Sequence, residues 1–385
     1  MKRKILAVTG IRSEYEALSY VFKEIEHHPK LKLELIVTGA HLSDAYGLTR
    51  EDISRDGFKV ADEVLNLINS DSLGSRVKGL AIQLSGMVQT VERVKPDILL
   101  VLGDREEVIT TSLVGAYTNI PVAHISGGDR VVGNVDDHIR HSATRLAHIH
   151  LTTNEESAER IRKFGEQHFR IFNTGSPGLD KFVKSPEMSY SQLSKKLKIQ
   201  LKSREPFIIL IQHSLSSEVQ KAYRQMKTTL EALKQLGIKT LISYPNSDPG
   251  GQAIIRVIEE FKQFPFLETF KNIPRVEFVN LMRKAKCLVG NSSCGIFEAP
   301  FLKLPVVNVG NRQKHRLHAE NVQFATHSRQ AISAAIKKAL FDKKYLKQVA
   351  ECSNPYGDGR ASEKIAHILA TIPIDQKLLI KDLTY

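Results

Sequence analysis

Residues 97–106 read Asp97-Ile98-Leu99-Leu100-Val101-Leu102-Gly103-Asp104-Arg105-Glu106. Five consecutive apolar residues run straight into a glycine, an acid and a base. An uninterrupted apolar run of this length suits a strand buried on both faces of a parallel sheet. The polar residues that follow it then fall at the strand's carboxyl end, where open α/β sheets collect their ligands.

The same shape recurs along the chain. Strands are predicted at 4–9, 32–38, 97–102, 121–125, 148–153 and 170–173. A second series is predicted at 207–212, 240–244, 276–279, 286–289 and 305–309. Segments with helical spacing, such as 13–28, 78–95 and 218–236, lie between them. Alternating strand and helix gives an α/β class of doubly wound, Rossmann-like sheets. The series breaks in a polar, Lys-rich stretch near 178–205, which divides the chain into domains 1–177 and 178–362. At 385 residues, two domains are also what length alone suggests.

Composition narrows the function classes. Hydrophobic residues at 42% and charged residues at 25% are ordinary for a soluble globular protein. The formal net charge of +13 admits nucleic acid, a membrane surface or an anionic small substrate as partner. The basic residues are spread out, and no base-reading helix or aromatic-basic RNA motif appears, so nucleic acid is disfavoured. Cys287, Cys294 and Cys352 show no metal or disulfide spacing. The first apolar run is too short for a signal peptide, and no stretch is long enough to span a membrane. The cytoplasm is the expected compartment.

Four constellations carry candidate chemistry. Gly10-Ile11-Arg12-Ser13-Glu14 is a glycine turn opening a helix, with Arg12 placed for phosphate. A capped helix with Ser13 as the cap explains it equally well. In Leu102–Glu106, Asp104 is either a helix N-cap or a catalytic carboxylate, with Arg105 holding it ionised or reaching the substrate. The third is HISGGDRVVGNVDDHIRH at 124–141, where Gly127 and Gly128 admit a ligand close to the backbone. Asp129, Asp136 and Asp137 supply carboxylates suited to moving protons. An acidic loop with an Asp136–Arg140 helical pair is the plainer account. His138 and His141 suggest metal only if a third ligand exists, and none is placed, so no metal is assigned. The fourth is NSSCGIFEAP at 291–300, where Ser292, Ser293 and Gly295 suit a diphosphate and Glu298 a ribose diol.

Taken in order, VTGIRSEY, VTGAHLSDAYG, VLGDR, HISGGD, DDHIRHSATRLAHIHL, FNTGSPG, IQHS, YPNSDPG, GNSSCGIFEAP, VNVGNRQ and NPYGDG resemble the hydrolysing UDP-N-acetylglucosamine 2-epimerases of sialic-acid and related nonulosonic-acid biosynthesis. The resemblance covers nearly the whole chain. It implies a GT-B-like fold of two Rossmann-like domains facing across a cleft, with a C-terminal helix (363–385) returning to the first. It implies that Arg12, His213, Asn246, Ser292, Ser293, Glu298 and Arg312 contact the nucleotide diphosphate and ribose. Asp104, Asp129 and Asp136 would be the acid/base set, with Arg105 close to the sugar and His213 also at the leaving group. No cofactor is implied. The substrate would be a nucleotide sugar, and the assembly a homodimer or homotetramer. Two departures stand out: Gly127-Gly128-Asp129 replaces the family's usual Gly-Gly-Glu, and Ser214-Leu215 follows His213 where a proline is common.

The reaction so implied is elimination followed by hydration. Departure of the diphosphate from C1 leaves an oxocarbenium-like centre, which makes the neighbouring C2 proton removable. A carboxylate takes that proton, giving a glycal. Water then adds at C1 and a proton arrives at C2 from the other face, releasing UDP and the free 2-epimer. Rival readings are a non-hydrolysing epimerase that returns the nucleotide sugar, a GT-B glycosyltransferase that needs an acceptor, and a sugar-nucleotide-binding regulator without turnover.

Overall fold

The computed structural model describes residues 2–44, 48–68, 73–130, 135–245, 249–271 and 273–384. They fold as two compact units, Met1–Val183 with Tyr356–Tyr385, and Lys184–Pro355.

The first unit holds a seven-stranded sheet. Its strands are β1 (Arg3–Thr9), β2 (Leu31–Thr38), β3 (Val60–Val64), β4 (Ile98–Leu102), β5 (Val122–Ile125), β6 (Ile149–Thr152) and β7 (Ile171–Asn173). They lie in the order β3-β2-β1-β4-β5-β6-β7, parallel throughout. Successive residues of a strand point to opposite faces, and here both faces are dry. Ile5, Ala7, Leu35, Leu100 and Ile125 pack against Leu18, Phe22 and Ile25 of the helix Arg12–His27. Leu6, Val8, Leu99 and Val101 pack on the other face against Met87 and Val91 of the helix Leu73–Val94 and Val108 of the helix Glu106–Thr118.

The second unit repeats the plan with β8 (Phe207–Ile211), β9 (Lys239–Ser243), β10 (Leu267–Phe270), β11 (Cys287–Gly290), β12 (Val306–Val309) and β13 (Val322–Ala325). The order is β10-β9-β8-β11-β12-β13, again parallel. Met226, Leu230 and Leu233 of the helix Ala222–Leu236 cover it together with Ile332 and Ile336 of the helix Arg329–Phe341.

Strand order reverses between β1 and β4 in one sheet and between β8 and β11 in the other. Such switch points open a crevice beyond the carboxyl ends of the two strands.

Three expectations need correction. The apolar run 276–279 is not a strand; it lies in the helix Arg275–Lys284, which starts directly after Pro274. A short apolar run fits either element, and here the proline precedes a full helical span. The first unit extends past 177 to Val183. Asp180 is the reason: fully buried, it accepts the Ala361 N–H at 3.1 Å and the Ser362 N–H at 2.8 Å, and the Ser362 hydroxyl as well. It thereby pins the start of the returning helix Ala361–Thr371, whose Ile365 and Leu369 join the first core. The return begins at Tyr356 rather than 363, since the Tyr356 carbonyl accepts the Ser176 N–H at 2.8 Å.

Candidate active site

In the first unit, three strand ends contribute to one cluster. After β4, Gly103 takes a left-handed φ of 96° and turns the chain so that Asp104 and Arg105 precede the helix Glu106–Thr118. Gly103 is held from two sides. Its N–H donates to Ile125 O at 3.0 Å, and its carbonyl lies 2.8 Å from His124 Nε2. A carbonyl only accepts, so His124 carries its proton on Nε2. Burial holds that imidazole neutral, down to about 3. His124 is thus a support for the turn that sequence reading missed.

Asp104 is not the N-cap. The capping residue is Arg105, which makes no side-chain cap bond. Asp104 instead pairs with Arg140 of the helix Val135–Leu146. Burial pushes the Asp104 carboxyl up, Arg140 opposes that, Asp136 adds to it and Arg105 opposes it. A carboxyl moved toward neutral pH is suited to taking and giving a proton.

After β5 the chain turns through Ser126 (φ 63°), Gly127 and Gly128 (φ 76°) to Asp129. A β-carbon at Gly128 would stand 2.4 Å from Ser157 O, so only glycine fits there. Asp129 Oδ1 accepts the hydroxyls of Thr153 and Ser157, each at 2.7 Å. Its Oδ2 lies 3.9 Å from Arg140 Nη1, which also donates to Ser126 O at 2.6 Å. Arg140 is buried, with 6% of its surface exposed. One guanidinium therefore ties the turn after β4 to the turn after β5. Arg140 stood in the sequence only as a helical partner for Asp136; its reach to Asp104 required knowing that β4 and β5 are neighbours.

Asp136 sits in the first turn of the helix Val135–Leu146 and acts on both Asp104 and Arg105. Asp137 pairs instead with His141 at 3.5 Å. Arg105 lies 3.5 Å from Glu106 Oε2 and 3.8 Å from Glu107 Oε1. Burial works against its charge, but Glu107, Glu106, Glu14 and Asp136 outweigh it and hold Arg105 above its usual value. Arg12 opens its helix at the surface, 3.1 Å from Glu16. Ser13 is not the cap of that helix; Ile11 takes the position, without a side-chain bond.

In the second unit, Asn291 organises the turns after β8 and β11. Its Oδ1 accepts the His213 N–H at 2.7 Å, and its Nδ2 donates to His213 O at 2.9 Å. Its own carbonyl accepts Arg312 Nη1 at 3.1 Å and Gln313 Nε2 at 2.9 Å. His213, Ser292 and Arg312 are thereby gathered at the β8/β11 switch point. Gly290 (φ 120°) precedes Asn291, and a β-carbon there would stand 2.0 Å from Ile211 O. Ser292 and Ser293 open the short helix Cys294–Phe297, and Glu298 ends it. All three are half-buried. Asn246 lies outside the described residues. Among the described residues no three His, Cys, Asp or Glu side chains form a group able to hold a metal ion.

Comparison with known proteins follows the same lines. Residues 23–370 match the family model described as UDP-N-acetylglucosamine 2-epimerase. The chain is 34% identical over 385 residues to a UDP-N,N'-diacetylbacillosamine 2-epimerase (hydrolyzing) of Legionella pneumophila, covering 99% of each chain. It is 34% identical over 324 residues to a GDP/UDP-N,N'-diacetylbacillosamine 2-epimerase (hydrolyzing) of Campylobacter jejuni, covering 83% of this chain and 84% of the other. Among solved structures, S. aureus MnaA with UDP superposes with a TM-score of 0.77 at 20% identity, each chain covered completely. Likeness at that identity speaks for the fold, which is two doubly wound α/β units of the GT-B-like kind.

Proposed function

The chain belongs to the UDP-N-acetylglucosamine 2-epimerase family, and from that premise we propose that it hydrolyses a UDP-linked 2-acetamido sugar, releasing UDP and the free 2-epimer. The observation that carries this reading is the Asp104–Arg140–Asp129 cluster beside the β1/β4 switch point. Binding and regulation need no such set of carboxylates around one buried guanidinium; moving a proton off C2 and another onto it does.

In this reading the second unit grips the diphosphate and ribose through His213, Ser292, Ser293, Glu298, Arg312 and Asn246. Arg12 adds charge from the first unit. Hydrogen bonds and positive charge aimed at the departing UDP lower the barrier to C1–O cleavage, and His213 serves the leaving oxygen. Asp104, raised by burial, is suited to exchanging the C2 proton. Asp129, fixed by Thr153 and Ser157, and Asp136 serve the return of the proton and the addition of water at C1. No cofactor takes part. We assign the sugar to the 2,4-diacetamido-trideoxyhexose class, on the strength of the Legionella and Campylobacter relatives. The shorter arm of Asp129 fits a sugar other than N-acetylglucosamine. UDP-N-acetylglucosamine is the second reading, favoured by the family description. The protein would work as a homodimer or homotetramer in the cytoplasm; no helix among the described residues is long and apolar enough to cross a membrane.

Mass spectrometry of a small panel of UDP- and GDP-linked 2-acetamido sugars tests the reading. The expected products are free nucleotide and free 2-epimer, with one deuterium at C2 when the reaction runs in deuterium oxide. An intact epimerised nucleotide sugar would identify a non-hydrolysing enzyme. Retention of the original C2 hydrogen would exclude elimination, and turnover only with an added acceptor would identify a glycosyltransferase.

A further inference from the structure

Beneath the turns after β1 and β4 lie two carboxyl groups that neither the acid–base cluster nor the diphosphate site employs. Glu14, on the helix Arg12–His27, is 6% exposed, and Glu107, on the helix Glu106–Thr118, is 4% exposed. Glu14 Oε2 accepts the Gly10 N–H at 3.2 Å. A β-carbon on Gly10 would stand 2.5 Å from Glu107 Oε2, and one on Gly103 would stand 3.9 Å from Glu14 Oε1. The pair is therefore pressed between the Gly10 turn, which leads to Arg12, and the Gly103 turn, which leads to Asp104 and Arg105.

The two carboxyls close on the same residue, Glu14 on the Gly10 N–H and Glu107 on the Gly10 α-carbon. Glu14 Oε1 and Glu107 Oε1 are both closed to solvent, and among the described residues no N–H or O–H donates a hydrogen bond to either. Two ionised carboxylates in that position would repel each other with no donor between them. A single proton turns the repulsion into a hydrogen bond. The groups that face the pair agree with one negative charge rather than two. Arg105 Nε lies 3.8 Å from Glu107 Oε1 and, among the described residues, has no hydrogen-bond partner. Glu106 is held by Arg76 of the helix Leu73–Val94, and Asp136 faces Arg105 from the helix Val135–Leu146. His41, whose N–H donates to Gly10 O, has its ring between Thr9 and Thr49.

We propose that Glu14 and Glu107 share one proton and act together as a positioning pair, tying the Gly10–Arg12 turn to the Asp104–Arg105 turn across the β1/β4 switch point. Neither residue touches the reacting atoms. Their part in turnover rests on the 2-epimerase reading; the shared proton does not. Burial first, and then the neighbouring Glu107, push the Glu14 carboxyl well above the usual carboxylate range, against the Gly10 N–H and Arg105.

Infrared spectroscopy of the intact protein at pH 7, with and without deuterium exchange, tests the proton directly. A carbonyl stretch of a protonated carboxylic acid is expected in the wild type. It should persist in Asp104→Asn and vanish in Glu14→Gln and in Glu107→Gln, where an amide donor faces the remaining carboxylate. Kinetics test the positioning. Glu14→Leu keeps the fold, by circular dichroism, and lowers kcat about tenfold to a hundredfold while KM changes little. Glu14→Gln recovers most of that loss and moves the alkaline limb of the kcat profile. A wild type without the protonated-acid band overturns the proposal, and so do Leu and Gln variants that lose activity equally. A wild type that shows the band but turns over no nucleotide sugar would count against the 2-epimerase reading and leave the shared proton standing.

Discussion

Arg140 is the residue whose removal tells most about the proposed acid–base cluster. It is buried and answers two carboxylates and a backbone carbonyl, from the turns after β4 and β5. Arg140→Met leaves Asp104 and Asp129 without their shared cation. Arg140 holds the Asp104 carboxyl down against burial and Asp136, so its loss raises Asp104 further. If the carboxylate is the working form, the acid limb of kcat moves to higher pH, and kcat/KM falls by about 10²- to 10⁴-fold. Arg140→Lys keeps the charge but not the planar fork that reaches several acceptors at once, so it should recover the pH limb and little of the rate. A pH–rate profile of both variants checks this; an unmoved acid limb in Arg140→Met would remove Asp104 from the titrating step. At this scale, strand-end carboxylates were legible because they interrupt apolar runs where turn chemistry alone asks for no charge. Their partners were not. Asp104 could be read as a cap and Ser13 as another, and Glu14 and Glu107 carried no reading of their own, until the adjacency of β1, β4 and β5 placed the carboxyls.

Legibility at the level of strands follows position in the sheet. The three strands missed in the sequence, β3, β10 and β13, are all sheet edges. Their residues are largely half-buried, as in Val60–Val64 and Leu267–Phe270, so they show no continuous apolar run. The central strands β1, β4, β8 and β11 are dry on both faces, and most of the candidate site residues follow their ends. Edge strands bear on stability more than on chemistry, so missing them cost the site little. The β8/β11 pair supports a prediction of its own. Gly290 has a positive φ of 120°, and Ile211 O stands 2.0 Å from where a β-carbon would be. Gly290→Ala must push the two strand ends apart, and with them the Asn291–His213 hydrogen bonds. Backbone strain of this kind costs about 1–3 kcal/mol. The expected result is a lower melting temperature and a weakened affinity for UDP by isothermal titration, with larger loss than Asn291→Ala, which removes the clamp but not the turn. Unchanged UDP affinity in a folded Gly290→Ala protein would dissociate this turn from nucleotide binding.

For the whole chain, the C-terminal segment closes the first unit. Arg170, fully buried, donates to the carbonyls of Lys377, Leu378 and Ile380. Lys381 donates to Arg145 O and Ala147 O, at the end of the same helix whose start bears Asp136 and Arg140, and lies 3.0 Å from buried Glu166. A returning helix was expected from the family resemblance, but its anchoring was not readable: Arg170 and Glu166 look like ordinary surface charges in sequence, and only the fold shows them buried. Deleting residues 376–385 would leave Arg170 without its three carbonyl acceptors and Glu166 without Lys381. Glu166 would keep Arg145 and His150, and Arg170 would keep Gln167 Oε1 at 2.9 Å, so the cost should fall short of the about 3–5 kcal/mol for a buried charge stripped of its partner. Because every one of these contacts belongs to the first unit, the loss should be confined to it. Hydrogen exchange followed by mass spectrometry is expected to show weakened protection in β6, β7 and the helix Val135–Leu146, with β8 and β11 protected as before. Turnover should fall with the loosening of that helix while UDP affinity, which in this reading depends on the second unit and on Arg12 of the helix Arg12–His27, survives. Equal loss of protection in both units would mean that they unfold together and that the tail serves the whole chain; undiminished protection in β6 and β7 would mean that Arg170 finds water in place of the carbonyls at no cost.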